Sequence, residues 1–206
     1  MTGLFITLEG GEGSGKSTQA KLLSEHFAAQ GRKCILTREP GGCPQADAIR
    51  ALLLTGSVDK WHPVAETLLF QAARVEHAER VITPALERGE TVLCDRFLDS
   101  TIVYQGIGKG LGADYIRELH RLTLGALAPS LTLLLDIDPA IGLKRARNRA
   151  GEETRFEHMD MAFHQRVREG FLALAKAEPE RFAVIDASRG VEEVRQTVLE
   201  AIERRG

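Results

Sequence analysis

The sequence has little net charge, few aromatic residues and no long apolar run. Acidic and basic side chains nearly cancel to a net charge of −2, and aromatic residues make up 5% of the chain. A nearly neutral chain has no general electrostatic attraction to nucleic acid or to a membrane surface, so we expect neither as a partner. Every apolar run is far shorter than the roughly 20 residues that cross a bilayer. The composition is that of an ordinary globular protein.

Cysteine is also scarce. The three cysteines, Cys34, Cys43 and Cys94, do not have the spacing of a metal site, and an odd number cannot all form disulfides. The chain begins with a short apolar segment and has no basic stretch or cleavage site typical of a secretory signal. These features predict a reducing, cytoplasmic environment.

The most informative segment is glycine-rich and fits the pattern G-x-x-x-x-G-K-[ST]. It follows the apolar run 4–8 and precedes a helical pattern that stops at Gly31, which is the strand, loop and helix context that a phosphate-binding loop requires. Backbone N–H groups of such a loop and the helix N-terminus favour phosphate oxygens. A turn that binds nothing is the weaker alternative. We predict a nucleoside triphosphate site formed by Gly10, Gly11, Glu12, Gly13, Ser14, Gly15, Lys16, Ser17 and Thr18.

Short apolar segments alternate with helical patterns along the whole chain. The segments predicted as strands are 4–8, 33–37, 91–95, 131–136 and 182–186. This alternation predicts an α/β fold, with a five-stranded parallel sheet that carries helices on both faces. No repeat, low-complexity tract or linker divides the sequence, so we expect a single domain over residues 1–206. The third predicted strand closes on Asp95, which is typical of a Walker B strand whose carboxylate stands near Mg²⁺.

The longest helical pattern runs from Val64 to about Gly89, and Pro84 inside it can kink the helix. Apolar positions 64, 68, 72, 75, 82 and 86 form one stripe, which we predict to face the core. Phe70 and Arg74 lie on the opposite side, where an aromatic ring and a guanidinium four residues apart can hold a planar ligand. Helix geometry alone leaves this hypothesis open against a second packing face or a dimer contact, which Val81 on the same side supports.

Taken together, these segments resemble bacterial thymidylate kinases, which are P-loop nucleoside monophosphate kinases, over nearly the full length. The resemblance is carried by Leu-Glu-Gly-Gly-Glu-Gly-Ser-Gly-Lys-Ser-Thr at 8–18, Thr-Arg-Glu-Pro-Gly-Gly at 37–42, Phe-Gln-Ala-Ala-Arg at 70–74, Asp-Arg at 95–96, Asp-Ser-Thr at 99–101 and Tyr-Gln-Gly at 104–106. It implies transfer of the γ-phosphoryl group of ATP to dTMP with Mg²⁺ as cofactor. It also implies a homodimer.

The resemblance further implies roles for individual side chains. Arg96 and Arg50 would hold the acceptor phosphate, and Glu12 would face the deoxyribose 3′-hydroxyl or the metal–phosphate cluster. Phe70 would stack on thymine and Arg74 would hydrogen-bond its carbonyl edge, which tips the open choice above toward ligand binding. The implied dTMP-binding residues are Glu39, Arg50, Phe70, Arg74, Arg96, Ser100, Thr101, Tyr104 and Gln105, with Tyr104 standing where a ribose 2′-hydroxyl would need room. The implied metal ligands are Ser17 and Asp95, and the implied catalytic residues are Lys16, Arg96, Arg149 and Glu12.

A basic cluster, Lys144–Arg149, resembles the mobile lid of this family, which we place at about 144–157. Family members with glycine after the loop carboxylate, as at Gly13, supply the catalytic arginine from the lid. Arg149 is the first choice, Arg147 and Arg155 are the alternatives, and Arg145 would contact ATP. A solvated helix face is the competing interpretation. The lid has one extra residue, and Thr154 replaces the usual aspartate, so the register of the lid and a metal-side role for Glu157 stay open.

Two other functions remain open at this point. One is a kinase of the same fold that acts on a different monophosphate, and the other is a non-catalytic ATP-binding module. A guanine-reading GTPase would carry Asn-Lys-x-Asp after a late strand, and nothing of that form follows Leu135 or Ile185.

Overall fold

The strands assemble into one sheet. The computed structural model describes residues 3–148 and 155–204. Its strands are Phe5–Glu9 (β1), Cys34–Arg38 (β2), Thr91–Asp95 (β3), Leu131–Asp136 (β4) and Phe182–Asp186 (β5). They lie in the order β2-β3-β1-β4-β5, and each neighbouring pair is parallel. The predicted five-stranded parallel sheet is confirmed.

Helices connect these strands. They are Lys16–Ala29 (α1), Pro44–Leu54 (α2), Pro63–His77 (α3), Thr83–Glu87 (α4), Leu98–Thr101 (α5), Ala113–Leu124 (α6), Pro139–Arg147 (α7), Met161–Ala177 (α8) and Val191–Glu203 (α9). π-Helical segments cover Ala78–Ile82 and Ile102–Gly108. Proline opens α2, α3 and α7, where its fixed φ suits the first helical turn and its missing N–H costs nothing.

Both faces of the sheet are covered. Alternate residues of a strand point to opposite faces, so each face contributes its own apolar side chains to the packing. On one face, Ile6 and Leu8 pack with Leu23 and Phe27 of α1 and with Val198 of α9. On the other face, Leu134 joins a cluster that contains aromatic residues of α8 and of the π-helical segment 102–108. No helix in the described ranges combines the length and the apolar character that crossing a membrane requires.

The long helical pattern predicted from Val64 is interrupted before Pro84. Thr83 N–H donates to the carbonyl of Ala78, five residues back, so the chain widens into a π turn over Ala78–Ile82. Pro84 has no N–H and its ring would clash with the carbonyl four residues earlier in a regular α-helix. The extra residue in the π turn separates these groups. The break therefore lies N-terminal to the proline.

The prediction that the apolar stripe of this helix faces the core is wrong for α3. Leu68 is 49% exposed, and Ala72 is exposed as well. The inner face of α3 is polar instead, and it buries Glu66, Gln71 and Arg74 to 3% exposure or less. These side chains satisfy one another and nearby loops by hydrogen bonds, so a polar face can be buried without a large desolvation penalty.

Candidate active site

The glycine-rich loop joins β1 to α1 at the carboxyl edge of the sheet, where α/β folds commonly place their ligands. Gly13 has φ +65°, and a Cβ atom built on it would lie 1.9 Å from the carbonyl oxygen of Gly142 in α7. The backbone of α7 thus packs directly on the loop. A side chain at position 13 would displace one of the two segments.

Lys16, the first residue of α1, lies back across this loop. Its Nζ donates to the carbonyl oxygens of Gly10 at 3.2 Å and Gly11 at 2.7 Å, and to Ser14 Oγ at 3.2 Å. Burial, with the nearby charge of Arg96, lowers the pKa of Lys16 to about 8. All three hydrogen-bond acceptors are neutral, so the charge of Lys16 remains available to an anion bound in the loop.

Ser17 and Asp95 bring two oxygen ligands together. Ser17 Oγ donates to Asp95 Oδ2 at 2.5 Å, which joins the start of α1 to the end of β3. The described residues contain no group of three or more His, Cys, Asp or Glu side chains able to hold a metal by themselves. A hydroxyl and one carboxylate fit Mg²⁺ that arrives with a nucleotide, because protein sites for Mg²⁺ commonly use one or two carboxylates with substrate phosphates and water.

Arg96 follows β3 directly and has the left-handed φ of 71°. Its Nη1 donates to the Gly10 carbonyl at 3.1 Å and to Ser100 Oγ at 3.0 Å. Its Nη2 donates to Glu12 Oε1 at 3.0 Å and to Tyr104 Oη at 3.3 Å. Non-glycine residues seldom adopt such a φ, and those that do are often found at functional sites. Here it directs the guanidinium toward the phosphate loop.

Glu12 and Tyr104 share this guanidinium. Tyr104 Oη donates to Glu12 Oε1 at 2.9 Å. Burial raises the pKa of Glu12, but the charges of Arg96 and Lys16 outweigh it, so the net pKa of that carboxyl is lowered. Burial raises the pKa of the Tyr104 phenol, despite the opposing effect of Arg96. Glu12 is therefore an ionised acceptor and Tyr104 a neutral donor at neutral pH.

Arg74 is the centre of a second, more deeply buried network. It is 1% exposed, and its Nε donates to Glu39 Oε2 at 2.8 Å. Its Nη1 donates to Gln71 Oε1 at 3.0 Å and its Nη2 to Thr101 Oγ1 at 2.7 Å. His77 Nδ1 lies 3.1 Å from the other carboxylate oxygen of Glu39. The network holds the Arg74 guanidinium rigidly between α3, α5 and the loop after β2.

The predicted residues gather around a shared cavity of about 350 Å³. Those that line it are Glu12, Gly13, Gly15, Lys16, Ser17, Thr18, Glu39, Arg50, Phe70, Arg74, Asp95, Arg96, Ser100, Thr101, Tyr104, Gln105 and Arg145. Gly10 and Gly11 line a smaller recess that also contains His164. Ser14 is buried, and its Oγ donates to the Gly11 carbonyl.

The arginines of the predicted lid segment have different positions. Arg149, the first choice for the catalytic residue, lies outside the described residues, as does Thr154. Arg147 is exposed at the end of α7. Arg155 is 2% exposed and pairs with Glu66. Arg145 lines the cavity and donates to the carbonyl oxygens of Ala187 at 2.7 Å and Ser188 at 2.9 Å.

Sequence reasoning missed several residues of this region. Phe156, Phe97 and Arg38 also line the cavity. Glu9, at the end of β1, is fully buried and accepts hydrogen bonds from Phe97 N at 2.8 Å and Ser100 Oγ at 2.5 Å. Burial and the charge of Asp99 raise the pKa of Glu9 to about 7. The available signal was a carboxylate at the end of an otherwise apolar strand, but its partners lie about ninety residues further along the chain.

The chain is similar to known proteins over nearly its whole length. A family model described as thymidylate kinase matches residues 8–198. The thymidylate kinase of Geobacter sp. (strain M21) is 52% identical over 208 residues, covering 98% of this chain and 92% of the relative. That of Magnetococcus marinus (strain MC-1) is 49% identical, covering 100% and 98%. The crystal structure of thymidylate kinase from Ehrlichia chaffeensis superposes with a TM-score of 0.78 at 34% identity, covering 98% of this chain and 99% of that one.

Proposed function

The chain belongs to the thymidylate kinase family, and from this premise we propose that it transfers the γ-phosphoryl group of ATP to dTMP, giving dTDP and ADP. The observation that carries the proposal is that the phosphate loop and the buried Arg74 network open into the same cavity. Phosphoryl transfer needs a donor and an acceptor held in line, with the developing charge neutralised, and little covalent chemistry from the protein. A shared cavity supports that arrangement.

On the donor side, the loop N–H groups and the N-terminus of α1 would hold the phosphates of ATP. Lys16 would neutralise charge on the terminal phosphates. Arg145, whose guanidinium donates to the carbonyl oxygen of Ala187, would contact the nucleotide. Ser17 and Asp95 would hold Mg²⁺, which when bound neutralises charge on the β- and γ-phosphate oxygens. Their 2.5 Å contact supports this role.

On the acceptor side, Arg96 and Arg50 would grip the phosphate of dTMP. Arg96 already points at the loop through its contact with the Gly10 carbonyl, so a phosphate that it holds would stand next to the donor. Glu12, kept ionised, would face the 3′-hydroxyl or the metal–phosphate cluster. Tyr104, held by Glu12 and Arg96, would occupy the space that a ribose 2′-hydroxyl needs.

The base would lie deeper, against Phe70. A half-buried aromatic ring at the cavity wall supports stacking, and Phe156 lies 6.1 Å from it, centroid to centroid. Arg74 would donate to a carbonyl oxygen of thymine, and Glu39 would hold Arg74 in place. Ser100, Thr101 and Gln105 would complete the pocket.

We further propose that one domain over 1–206 carries this activity, with a lid at about 144–157 that supplies the catalytic arginine. Gly13 supports the lid assignment, because a side chain there would collide with Gly142 and so cannot deliver a guanidinium from the loop. Arg149 is our first choice for this role. Arg147 and Arg155 are the alternatives.

A homodimer is proposed as well. Helix α3 leaves Leu68 and Ala72 exposed, and α6, which a hydrogen bond from Gln71 to Thr123 joins to α3, leaves Leu122 exposed. Covering these residues with a second copy would remove apolar surface from water. Cys34, Cys43 and Cys94 are free thiols, which supports the cytoplasmic location.

The test is ADP release with ATP and Mg²⁺, using dTMP, dUMP, dCMP, dGMP and AMP as acceptors in parallel. We expect strong stimulation by dTMP. Turnover of dUMP should be about 10–200-fold less efficient, because a missing methyl group is discriminated only weakly, and mispaired hydrogen bonds should reject dCMP by roughly 10⁴-fold.

Stimulation by a different monophosphate would keep the kinase and overturn the thymidine pocket. Binding of ATP without stimulation by any acceptor would favour the non-catalytic module. Equal rates on dTMP and dCMP would contradict the roles given to Phe70 and Arg74.

A further inference from the structure

Glu66, on the inner face of α3, is a completely buried carboxylate that does not line the cavity. Its Oε1 accepts a hydrogen bond from Gln105 Nε2 at 2.9 Å, and its Oε2 accepts one from Lys109 Nζ at 2.9 Å. Arg155 pairs with the same carboxylate. Two cations beside it favour its ionised form, which can only accept hydrogen bonds.

This contact fixes the orientation of the Gln105 side chain. An amide has one donor end and one acceptor end, and the hydrogen-bond network determines which end points where. Because Glu66 can only accept, Nε2 of Gln105 must face it. This is the one side-chain hydrogen bond that Gln105 makes with the described residues. Gln105 itself lines the cavity, so its carbonyl Oε1 is the end that remains for a ligand.

Arg74 lines the same cavity with a guanidinium that can only donate. A donor from Arg74 and an acceptor from Gln105, which line one cavity, together match the edge of thymine or uracil, which has a carbonyl oxygen at C4 next to an N–H at N3. Cytosine has the reverse pattern, with an amino group at C4 and an unprotonated N3. Cytosine would therefore face like polar groups at both positions.

We propose that Glu66 is a positioning residue that sets the pyrimidine specificity of this site, by holding Gln105 with its carbonyl toward the base. This inference rests on the proposed function and adds the residue that sets its preference among pyrimidines. Glu66 touches no substrate. It acts through Gln105, 39 positions away in the chain.

A purely structural role makes a different prediction. If Glu66 served only to neutralise Lys109 and Arg155, its replacement would lower stability and the fraction of active enzyme, and these losses would affect all acceptors equally. If Glu66 orients Gln105, its replacement would change the ratio between acceptors. The ratio of kcat/KM for dTMP to kcat/KM for dCMP is independent of the active fraction, so it separates the two roles.

The first variant is Glu66→Gln, in which an amide can either donate or accept and no longer fixes Gln105. We expect the dTMP to dCMP ratio to fall by at least about 10-fold, with the KM for ATP unchanged. The matched control is Glu76→Gln on the same helix, since Glu76 is partly exposed and, among residues 3–148 and 155–204, forms its ion pair with Arg80. This control should keep the wild-type ratio.

Glu66→Gln leaves Lys109 and Arg155 without their carboxylate, so a charge-balanced variant, Glu66→Gln with Lys109→Met, accompanies it. Glu66→Gln removes one negative charge and Lys109→Met removes one positive charge, so the cluster keeps its net charge. Lys109→Met alone retains Glu66 and should therefore retain the ratio. The double variant should show the same fall as Glu66→Gln.

A wild-type ratio in a folded Glu66→Gln protein or in the double variant would overturn the proposal. So would a fall in Lys109→Met that equals that of the double variant, since Gln105 would still face Glu66 there. Failure of the proposed function has a different signature, because the wild-type enzyme itself would then show no preference for dTMP.

Discussion

The two halves of the cavity, to which we assign the phosphate donor and the acceptor as a proposal, are built in different ways. The donor half centres on one continuous segment, 10–18, which offers backbone N–H groups and a helix N-terminus, and only Asp95 and the predicted lid are added from elsewhere in the chain. The acceptor half is assembled from separate segments, and its side chains are locked by buried ion pairs such as Arg74 with Glu39. The first kind of site depends on local conformation, and the second depends on how the whole chain packs. Chemistry and stability should therefore separate in the donor half and be linked in the acceptor half.

The largest expected effect tests this separation on the donor side. If Arg149 is the catalytic arginine, as we propose, Arg149→Ala should lower kcat by about 10³–10⁵-fold, the range for a transition-state arginine, because it would remove charge stabilisation that matters only during transfer. The KM for dTMP and the thermal unfolding midpoint should change little. Steady-state kinetics and a melting curve are the two measurements.

The matched variant for that test is Arg147→Ala, since Arg147 is exposed at the end of α7. It should retain most of the activity. A comparable loss in Arg147→Ala, with Arg149→Ala nearly normal, would move the catalytic role to Arg147 and change the register of the lid.

The second expected effect tests the link between stability and binding on the acceptor side. Arg74→Ala removes one partner of an ion pair whose side chains are 2% and 4% exposed. Breaking such a pair leaves the buried Glu39 carboxylate without its guanidinium and should lower the free energy of unfolding by about 3–5 kcal/mol. Urea denaturation gives this value, and the KM for dTMP should rise in the same variant.

Its control is Arg80→Ala, three residues beyond the end of α3, because Arg80 is 53% exposed and pairs with Glu76 across one turn. An exposed pair of this kind contributes about 0.5 kcal/mol or less. If both variants lost the same small amount, the acceptor half would be no more dependent on buried charge than the surface is.

The smallest expected effect concerns Glu9, which ends the strand before the donor loop and accepts hydrogen bonds from the acceptor side. Burial and Asp99 raise its pKa from 4.5 to about 7. Between these two pKa values, Glu9 is ionised in the unfolded chain but still protonated in the folded protein. The contribution of Glu9 to the free energy of unfolding therefore falls as pH rises through this window. Glu9→Gln cannot ionise, so its free energy of unfolding should rise relative to wild type by up to about 1.4 kcal/mol per pH unit.

Urea denaturation of both proteins across the window from about pH 4.5 to about pH 7 measures this difference. Glu25→Gln, which removes one carboxylate from the exposed side of α1, controls for the change in net charge. Parallel pH profiles of wild type and Glu9→Gln would show that Glu9 does not titrate in this range.

What could be predicted from the sequence follows the same division. The phosphate loop, the alternation of strands and helices and the parallel sheet were predictable because each depends on residues adjacent in the chain. The face of α3 was predicted wrongly from Leu68 and its neighbours. Periodicity identifies an apolar stripe, but it does not say whether the sheet or another surface covers that stripe.

The sequence by itself determined the glycine-rich loop between β1 and α1, because a contiguous run of nine residues, 10–18, carries both the conformation and the polar groups. Only the tertiary structure decided the order of the strands, the burial of Glu9 beneath Ser100, and the contact of Glu66 with Gln105. These contacts join residues far apart in the chain, and the strength of their hydrogen bonds depends on a shared low-dielectric interior. No local sequence pattern predicts that interior, because it forms only when the helices pack on the sheet.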